Sequence, residues 1–328
     1  MFPQAAVPTW RSDTSPGDAA KDVIGAMREW LTSQALHELV KSWEEDVPED
    51  KDLGDLLEWY EEFTAKYWDF RAGRERNLVG ASDFTTEKVN LVLEAASALG
   101  MAEARSPRYA AYDHVLILGG LVRACVVRPA YAADLERQGV TFGSVTALGG
   151  FRPLLGDELE LARDLGVHGL DEFQAMIEGV SRAFSLDEPP QFDGAGADGG
   201  NSNWAVASFR SAQHVKVIAA PSSDPAARRA NSIDTYLWWA HREGALDGKR
   251  VLLITTSIYV PYQGAGAVEA LGLTFGCEVE TVGVPSSAAD LGPHTQQYRA
   301  DHYLQEIRSA IRGYRSLHGA LARRGLSG

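Results

Sequence analysis

The chain has 328 residues, 45% hydrophobic and 23% charged, a balance that excludes an intrinsically disordered protein and allows one large α/β domain or two smaller ones. With 31 basic against 45 acidic residues the formal net charge is -14, which repels phosphate backbones and argues against nucleic-acid binding. No run of roughly 18 apolar residues occurs and Met1 to Asp18 holds no apolar stretch, so neither a membrane span nor a secretory leader is expected and a cytoplasmic location is the default.

From about Ala19 to Gly100 the pattern is helical. Val23, Met27, Trp30 and Leu31 recur at helical spacing, as do Leu53, Leu56, Leu57, Tyr60, Phe63 and Tyr67. Thr85-Thr86-Glu87 opens a further helix that Gly100 ends. The aromatic stripe from Trp59 to Phe70 reads as core packing rather than a ligand cavity. A helical section over 1–111 is therefore expected to precede an α/β domain over 112–328.

After Tyr112 short apolar runs alternate with helices. Strands are predicted over His114–Leu118, Ser144–Leu148, Val215–Ala219, Val251–Thr255 and Glu278–Val282. Helices are predicted over Leu121–Arg137, Asp157–Asp164, Leu170–Phe184, Pro225–Glu243, Gly264–Thr274 and Arg299–Arg324. Such alternation implies a Rossmann-like, mainly parallel sheet covered by helices on both faces. Its post-strand loops would lie along one edge. A glycine-rich insertion near 185–203, with Pro189-Pro190 and the run Gly194 to Gly200, is either a lid or a surface loop.

Four loops can carry chemistry. Gly119-Gly120 follows the first strand and opens a helix, whose N-terminus favours an anion that Arg123 and Arg128 could also bind. Neither GxGxxG nor a Walker lysine is present there. Gly149-Gly150 follows the second strand, with Arg152 and then Glu158, which is a possible general base or a first-turn acid. In the third, Asn231, Ser232 and Asp234 follow Arg228 and Arg229. Either Asn231 or Ser232 can cap the helix, but a helix start near Pro225 leans against a pure cap. Finally, Thr256 and Ser257 leave a buried strand, followed by Tyr259 and Gln263; their hydroxyls suit an anion or a ribose, or a turn. Ser257 lacks a GxSxG elbow. Cys125 and Cys277 read as buried small residues, the scattered histidines, His114, His168, His214, His241 and His294, as ordinary polar ones, and no metal-ligand spacing is found. Arg308, Arg312, Arg315, Arg323 and Arg324 read as a solvated helix face.

In order, these loops resemble the DUF218 family, with its SanA, YdcF and ElyC types. Gly119-Gly120, Gly149-Gly150 with Glu158, Asn231 to Thr235 as an NTxEN-like element, and Thr256 to Gln263 as a TSxYHxxR-like motif carry the resemblance over roughly 112–284. It implies a Rossmann-like fold and, from one member type, binding of S-adenosylmethionine. Val260 stands at the family's His and Gln263 at its Arg, removing an imidazole and an anion clamp that Arg228 or Arg229 could replace.

The leading expectation is an enzyme, a hydrolase or group transferase, acting on a small polar metabolite that bears phosphate or a nucleotide. Glu158 and Asp234 are its candidate proton-transfer groups. An S-adenosylmethionine-dependent methyltransferase and a non-catalytic ligand sensor are the alternatives. The oligomeric state is left open.

Overall fold

In the computed structural model, residues 1–70, 83–102, 105–195, 200–210 and 215–327 are described. The central part of the glycine run, 196–199, and His214 lie outside them. In chain order the helices and strands are α1 Pro16–Leu31, α2 Gln34–Lys41, α3 Leu53–Tyr67, α4 Thr86–Ala98, β1 Ala111–Leu118, α5 Val122–Arg137, β2 Thr141–Gly149, α6 Asp157–Asp164, α7 Glu172–Ala183, β3 Gln191–Ala195, β4 Trp204–Ser208, β5 Val215–Ala219, α8 Ser232–Glu243, β6 Arg250–Thr256, α9 Val260–Ala267, α10 Leu273–Phe275, β7 Glu278–Val284 and α11 Ala300–Arg323. The chain divides into two compact units rather than at a single cut after Ala111. One comprises 1–104, 257–269 and 297–328; the other comprises 105–256 and 270–296.

The first unit is helical, and its helices start where the sequence supplies caps. Ser15, Ser33, Asp52 and Thr85 each accept a backbone amide hydrogen from the first turn they precede. Val23, Met27, Trp30 and Leu31 form the buried stripe of α1, and Leu53, Leu56, Leu57, Tyr60 and Phe63 that of α3. Buried polar ends find partners: Trp30 Nε1 donates to the Leu99 carbonyl at 3.1 Å and Tyr60 Oη to the Leu31 carbonyl at 2.7 Å. Trp30 meets Tyr314 of α11 edge-on at 5.1 Å. The arginines of α11 are matched by acids: Arg308 pairs with Asp69 at 3.2 Å, and Arg312 and Arg315 pair with Glu61. The aromatic stripe packs as expected, Phe63 touching Trp59, Tyr67 and Trp68.

The second unit is built on a seven-stranded sheet in the order β3-β4-β5-β2-β1-β6-β7. The strands from β5 to β7 are parallel, while β4 pairs antiparallel with β5 and with β3. Alternation in the strands turns Val115, Ile117, Val145, Ala147, Val217 and Ile254 into one core with residues of α5 and α7. The opposite face carries His114, whose ring meets Trp239 of α8 at 5.3 Å, and Lys216, which pairs with Glu243 of α8 at 2.6 Å. The unit is thus a mixed α/β structure with helices on both faces of a mostly parallel sheet.

Three segments depart from expectation. The insertion near 185–203 contributes β3, an edge strand of wholly exposed residues, and leads into β4. The helix expected from Pro225 begins at Ser232, because Asn231 supplies a complete capping box there. The helix expected from Gly264 begins earlier, at Val260, directly after a 3-10 turn over Ser257–Tyr259. Pro261 fits that first turn, where its missing N–H costs nothing.

Candidate functional site

Strand order reverses at β1. From β1 the chain moves to β2 and outward, then returns through α8 to β6 on the other side of β1. In open α/β sheets the crevice beyond the carboxyl ends at such a reversal is the usual ligand site. Arg128, on α5 and 3% exposed, spans it. Its guanidinium donates to the carbonyls of Leu118 (2.8 Å) and Gly119, at the end of β1, and to Oγ1 of Thr256 at the end of β6 (3.0 and 3.2 Å). The positive charge therefore sits buried at the reversal, fixed by three backbone and hydroxyl oxygens.

The two glycine turns meet in a second ionic group. Arg152 donates to both carboxylate oxygens of Glu158 (2.6 and 2.8 Å), to Glu172 (3.2 Å) and to the Gly120 carbonyl (2.9 Å). Glu158 in turn accepts the Val122 amide hydrogen at 2.9 Å, so the chain's own carboxylate caps the N-terminus of α5 where an anionic ligand was expected. Glycine is required at the first turn: a β-carbon on Gly119 would overlap Glu172 Oε1 and the Leu148 carbonyl. On Gly149 it would press to 2.9 Å from the Phe173 α-carbon, whereas Gly150 has room.

Glu172 is the residue that sequence reasoning missed. Nothing in the sequence marks it off from an ordinary first-turn acid of a helix. In the fold its side chain is 15% exposed, between Arg152 and the two glycine turns. Burial pushes its carboxyl up to about 7, against the pull of Arg152 and Arg128 and helped by the nearby Glu158 charge. Arg152 is held firmly protonated: Glu158 and Glu172 outweigh the burial that opposes its charge. Burial, reinforced by Glu172, drives the Cys125 thiol far above its ordinary value, so Cys125 is no thiolate.

The other expected site residues fall as follows. Asn231 caps α8 in a reciprocal box with Asp234, correcting the expectation that leaned away from a cap. Ser232 is the first residue of that helix. Asp234 is buried and clamped by Arg228 and the Ser223 amide; burial opposes its ionisation, but hydrogen bonds from the Arg228 and Ser223 side chains and from the Asn231 amide hold its carboxyl down at about 2. Arg228 is thereby drawn to Asp234. Arg123 donates to the His294 carbonyl at 2.6 Å and to Gln296 at 3.2 Å. Thr256 belongs with the sheet, whereas Ser257, Tyr259 and Gln263 belong to the helical unit, where Tyr259 meets Tyr298 edge-on at 6.4 Å. Among the described residues no group of three His, Cys, Asp or Glu side chains is placed to hold a metal ion. Nor is any described helix long and apolar enough to cross a membrane. An open surface depression of about 460 Å³ lies at the other end of α7, beside Glu178 and Arg182, which are already bonded to backbone atoms.

Among known protein families, residues 14–100 match the Rv3785 N-terminal domain. The chain is 29% identical over 334 residues to the "Uncharacterized protein Rv3785" of Mycobacterium tuberculosis, covering 92% of each. It matches the "Uncharacterized protein Mb3814" of Mycobacterium bovis to the same extent. The likeness is to Rv3785, and it runs nearly end to end. No solved structure matches the chain. These matches overturn the resemblance to the DUF218 family, which covered only the sheet loops and finds no support among them. With it goes the ground for expecting S-adenosylmethionine, since nothing else in the sequence pointed to that cofactor.

Proposed function

We propose that the α/β unit is a Rossmann-like catalytic domain, a hydrolase or group transferase, that binds a small polar metabolite through a phosphate or nucleotide group. Its site would be the carboxyl edge of the sheet over Gly119-Gly120 and Gly149-Gly150. The observation that carries this reading is Glu172: a partly exposed carboxyl, raised to about 7, beside two glycine turns at the strand-order reversal. A general acid or base works best with its titration near the operating pH, and groups so perturbed cluster at functional sites. Arg128, buried beneath the reversal, and Arg152, paired with Glu158 and Glu172 at the second turn, would act on an anionic group through their field rather than by direct contact.

Glu172 here takes the place of both sequence-expected proton-transfer groups. Glu158 is committed to Arg152 and the α5 amide, and Asp234 to Arg228 and its capping box. Glu158 would hold Arg152 in place, and Asp234 would hold the turn after β5. Glu172 would move the proton.

The test is a screen of purified full-length protein against phosphate monoesters, nucleotides and their activated sugars, run in parallel with Glu172→Gln. Turnover by the natural chain with a pH limb near 7, lost in Glu172→Gln, supports the reading. Turnover unchanged by the substitution removes Glu172 from the mechanism. The commitment of both sequence-expected carboxylates to internal ion pairs favours one other reading, a ligand sensor without chemistry. Saturable binding without turnover would select it.

A further inference from the structure

Helix α6 is joined to the rest of its unit by one polar side chain near its start and by one arginine past its end. Glu158 accepts from Arg152 at 2.6 and 2.8 Å and from the Val122 amide at 2.9 Å. Among the described residues the other charged side chains of the helix, Asp157, Glu160, Arg163 and Asp164, make no hydrogen bond or ion pair. Arg182 of α7 pins the far end, donating to the carbonyls of Leu165 and Gly166 at 3.0 and 2.9 Å. Apolar anchoring is light: of the eight residues only Ala162 is fully buried, with Leu159 and Leu161 part-buried against the core. Glycines of positive φ, Gly156 at 55° and Gly166 at 68°, flank the helix, and a β-carbon on the first would stand in open space. Few buried contacts, with a free-turning residue at each end, mark an element that opens locally rather than with the whole fold.

We propose that α6 is a lid latched by Glu158, and that the phosphate group of the metabolite opens it by taking the place of the Glu158 carboxylate on Arg152. The inference rests on the catalytic-domain reading above and adds to it the regulation of that site. A carboxylate and a phosphate offer a guanidinium the same pair of charged oxygens, so the exchange keeps the number of charge-assisted bonds. Water offers no such replacement. The side chains of Arg152 and Glu158 are 21% and 10% exposed, and parting them without a substitute leaves two poorly solvated charges unpaired. The lid therefore stays shut in the empty protein and yields to an anion. While it is shut, Arg152 acts on an approaching anion through its field. After the exchange it holds the anion directly, next to Glu172, with which it is already paired at 3.2 Å. Affinity is then the difference between the hold of the anion on Arg152 and that of the latch.

The experiment measures hydrogen–deuterium exchange in the full-length protein without and with saturating phenyl phosphate, and calorimetric affinity for phenyl phosphate in the natural chain and in Glu158→Gln. That variant keeps the size of the latch and removes its charge. Binding is expected to speed exchange over Asp157–Asp164 while leaving Glu172–Ala183 as before. Glu158→Gln should show the fast exchange without ligand and bind phenyl phosphate tighter by about ten-fold or more, since the internal competitor is gone. Binding that leaves α6 exchange unchanged, or slows it, overturns the lid and leaves the catalytic-domain reading standing. So does a folded Glu158→Gln that binds no tighter than the natural chain, because Glu158 is then a structural partner of Arg152. No binding by either chain overturns both. Should Glu158→Gln fail to fold, exchange in the natural chain decides alone.

Discussion

The carboxylate of Glu172 occupies the space that a side chain on Gly119 would need. The glycine is thus the condition for the acid's position, and the same carboxylate pairs with Arg152 of the second turn at 3.2 Å. Two loops that are separate in sequence are joined through this packing.

Gly119→Ala is expected to destabilise the protein by about 3 kcal/mol, since the added methyl meets both the carboxylate and the fixed carbonyl of Leu148. Gly150→Ala, whose β-carbon would stand 4.0 Å from Glu172, should be close to neutral. Urea unfolding of both variants measures the contrast. Equal effects would mean that the acid does not rest against the first turn.

Glu172 also sets a pH dependence of stability. Its folded pKa is raised to about 7 from 4.5, so the folded chain binds the proton more tightly than the unfolded one between those values. Stability from this group is then fully present below about pH 4.5 and is lost as pH rises toward 7, by roughly 3 kcal/mol in total. Glu172→Gln carries no such loss. Its stability relative to the natural chain should increase from pH 5 to pH 8, a trend that unfolding curves at stepped pH would read directly.

Removing the cation of the group should be costly. Arg152→Leu leaves Glu158 and Glu172 facing each other without their shared partner, and about 3–5 kcal/mol is expected to be lost at pH 8. Adding Glu172→Gln to that variant removes one of the two stranded charges and should restore part of the loss. A double-mutant cycle showing strictly additive effects would contradict the coupling.

Asp234 runs in the opposite sense. Its carboxyl is held down at about 2 against an ordinary 3.8, because hydrogen bonds from the Arg228 and Ser223 side chains and from the Asn231 amide outweigh burial. The stability it contributes is complete above about pH 4 and is lost as pH falls toward 2. Asp234→Asn should therefore be less stable than the natural chain at pH 7, by about 2 kcal/mol, with the gap closing near pH 2. Acid unfolding followed by circular dichroism gives the comparison.

Much of the sheet could be read from the chain because its parallel strands are buried on both faces and so appear as apolar runs; the strand expected over Val251–Thr255 is observed over Arg250–Thr256. The β3–β4 hairpin escaped because β3 is wholly exposed and carries no burial pattern, and a glycine stands within it. Capping was legible in part: Thr85 is a local signal that opens its helix as expected, whereas the Ser15 cap was not anticipated and Asn231 could be placed only once the turn after β5 was seen to end at it. The importance of Glu172 was not legible at all. Its raised pKa depends on burial beneath two remote glycine turns, and no local pattern separates it from the solvated first-turn acids Asp157 and Glu160 of α6. The family resemblance failed for a related reason: glycine pairs after strands meet a steric need of strand-to-helix turns in general, so their order along the chain carries little family information.

The most direct test of the proposed site is a carbon-13 NMR titration of the Glu172 side-chain carboxyl, assigned by its absence in Glu172→Gln, without and with saturating phenyl phosphate. A midpoint near 7 in the free protein, moving upward when the anion binds because added negative charge opposes ionisation, is the expected result. A midpoint near 4.5, or one that does not move at saturation, would contradict a catalytic carboxyl at this edge of the sheet.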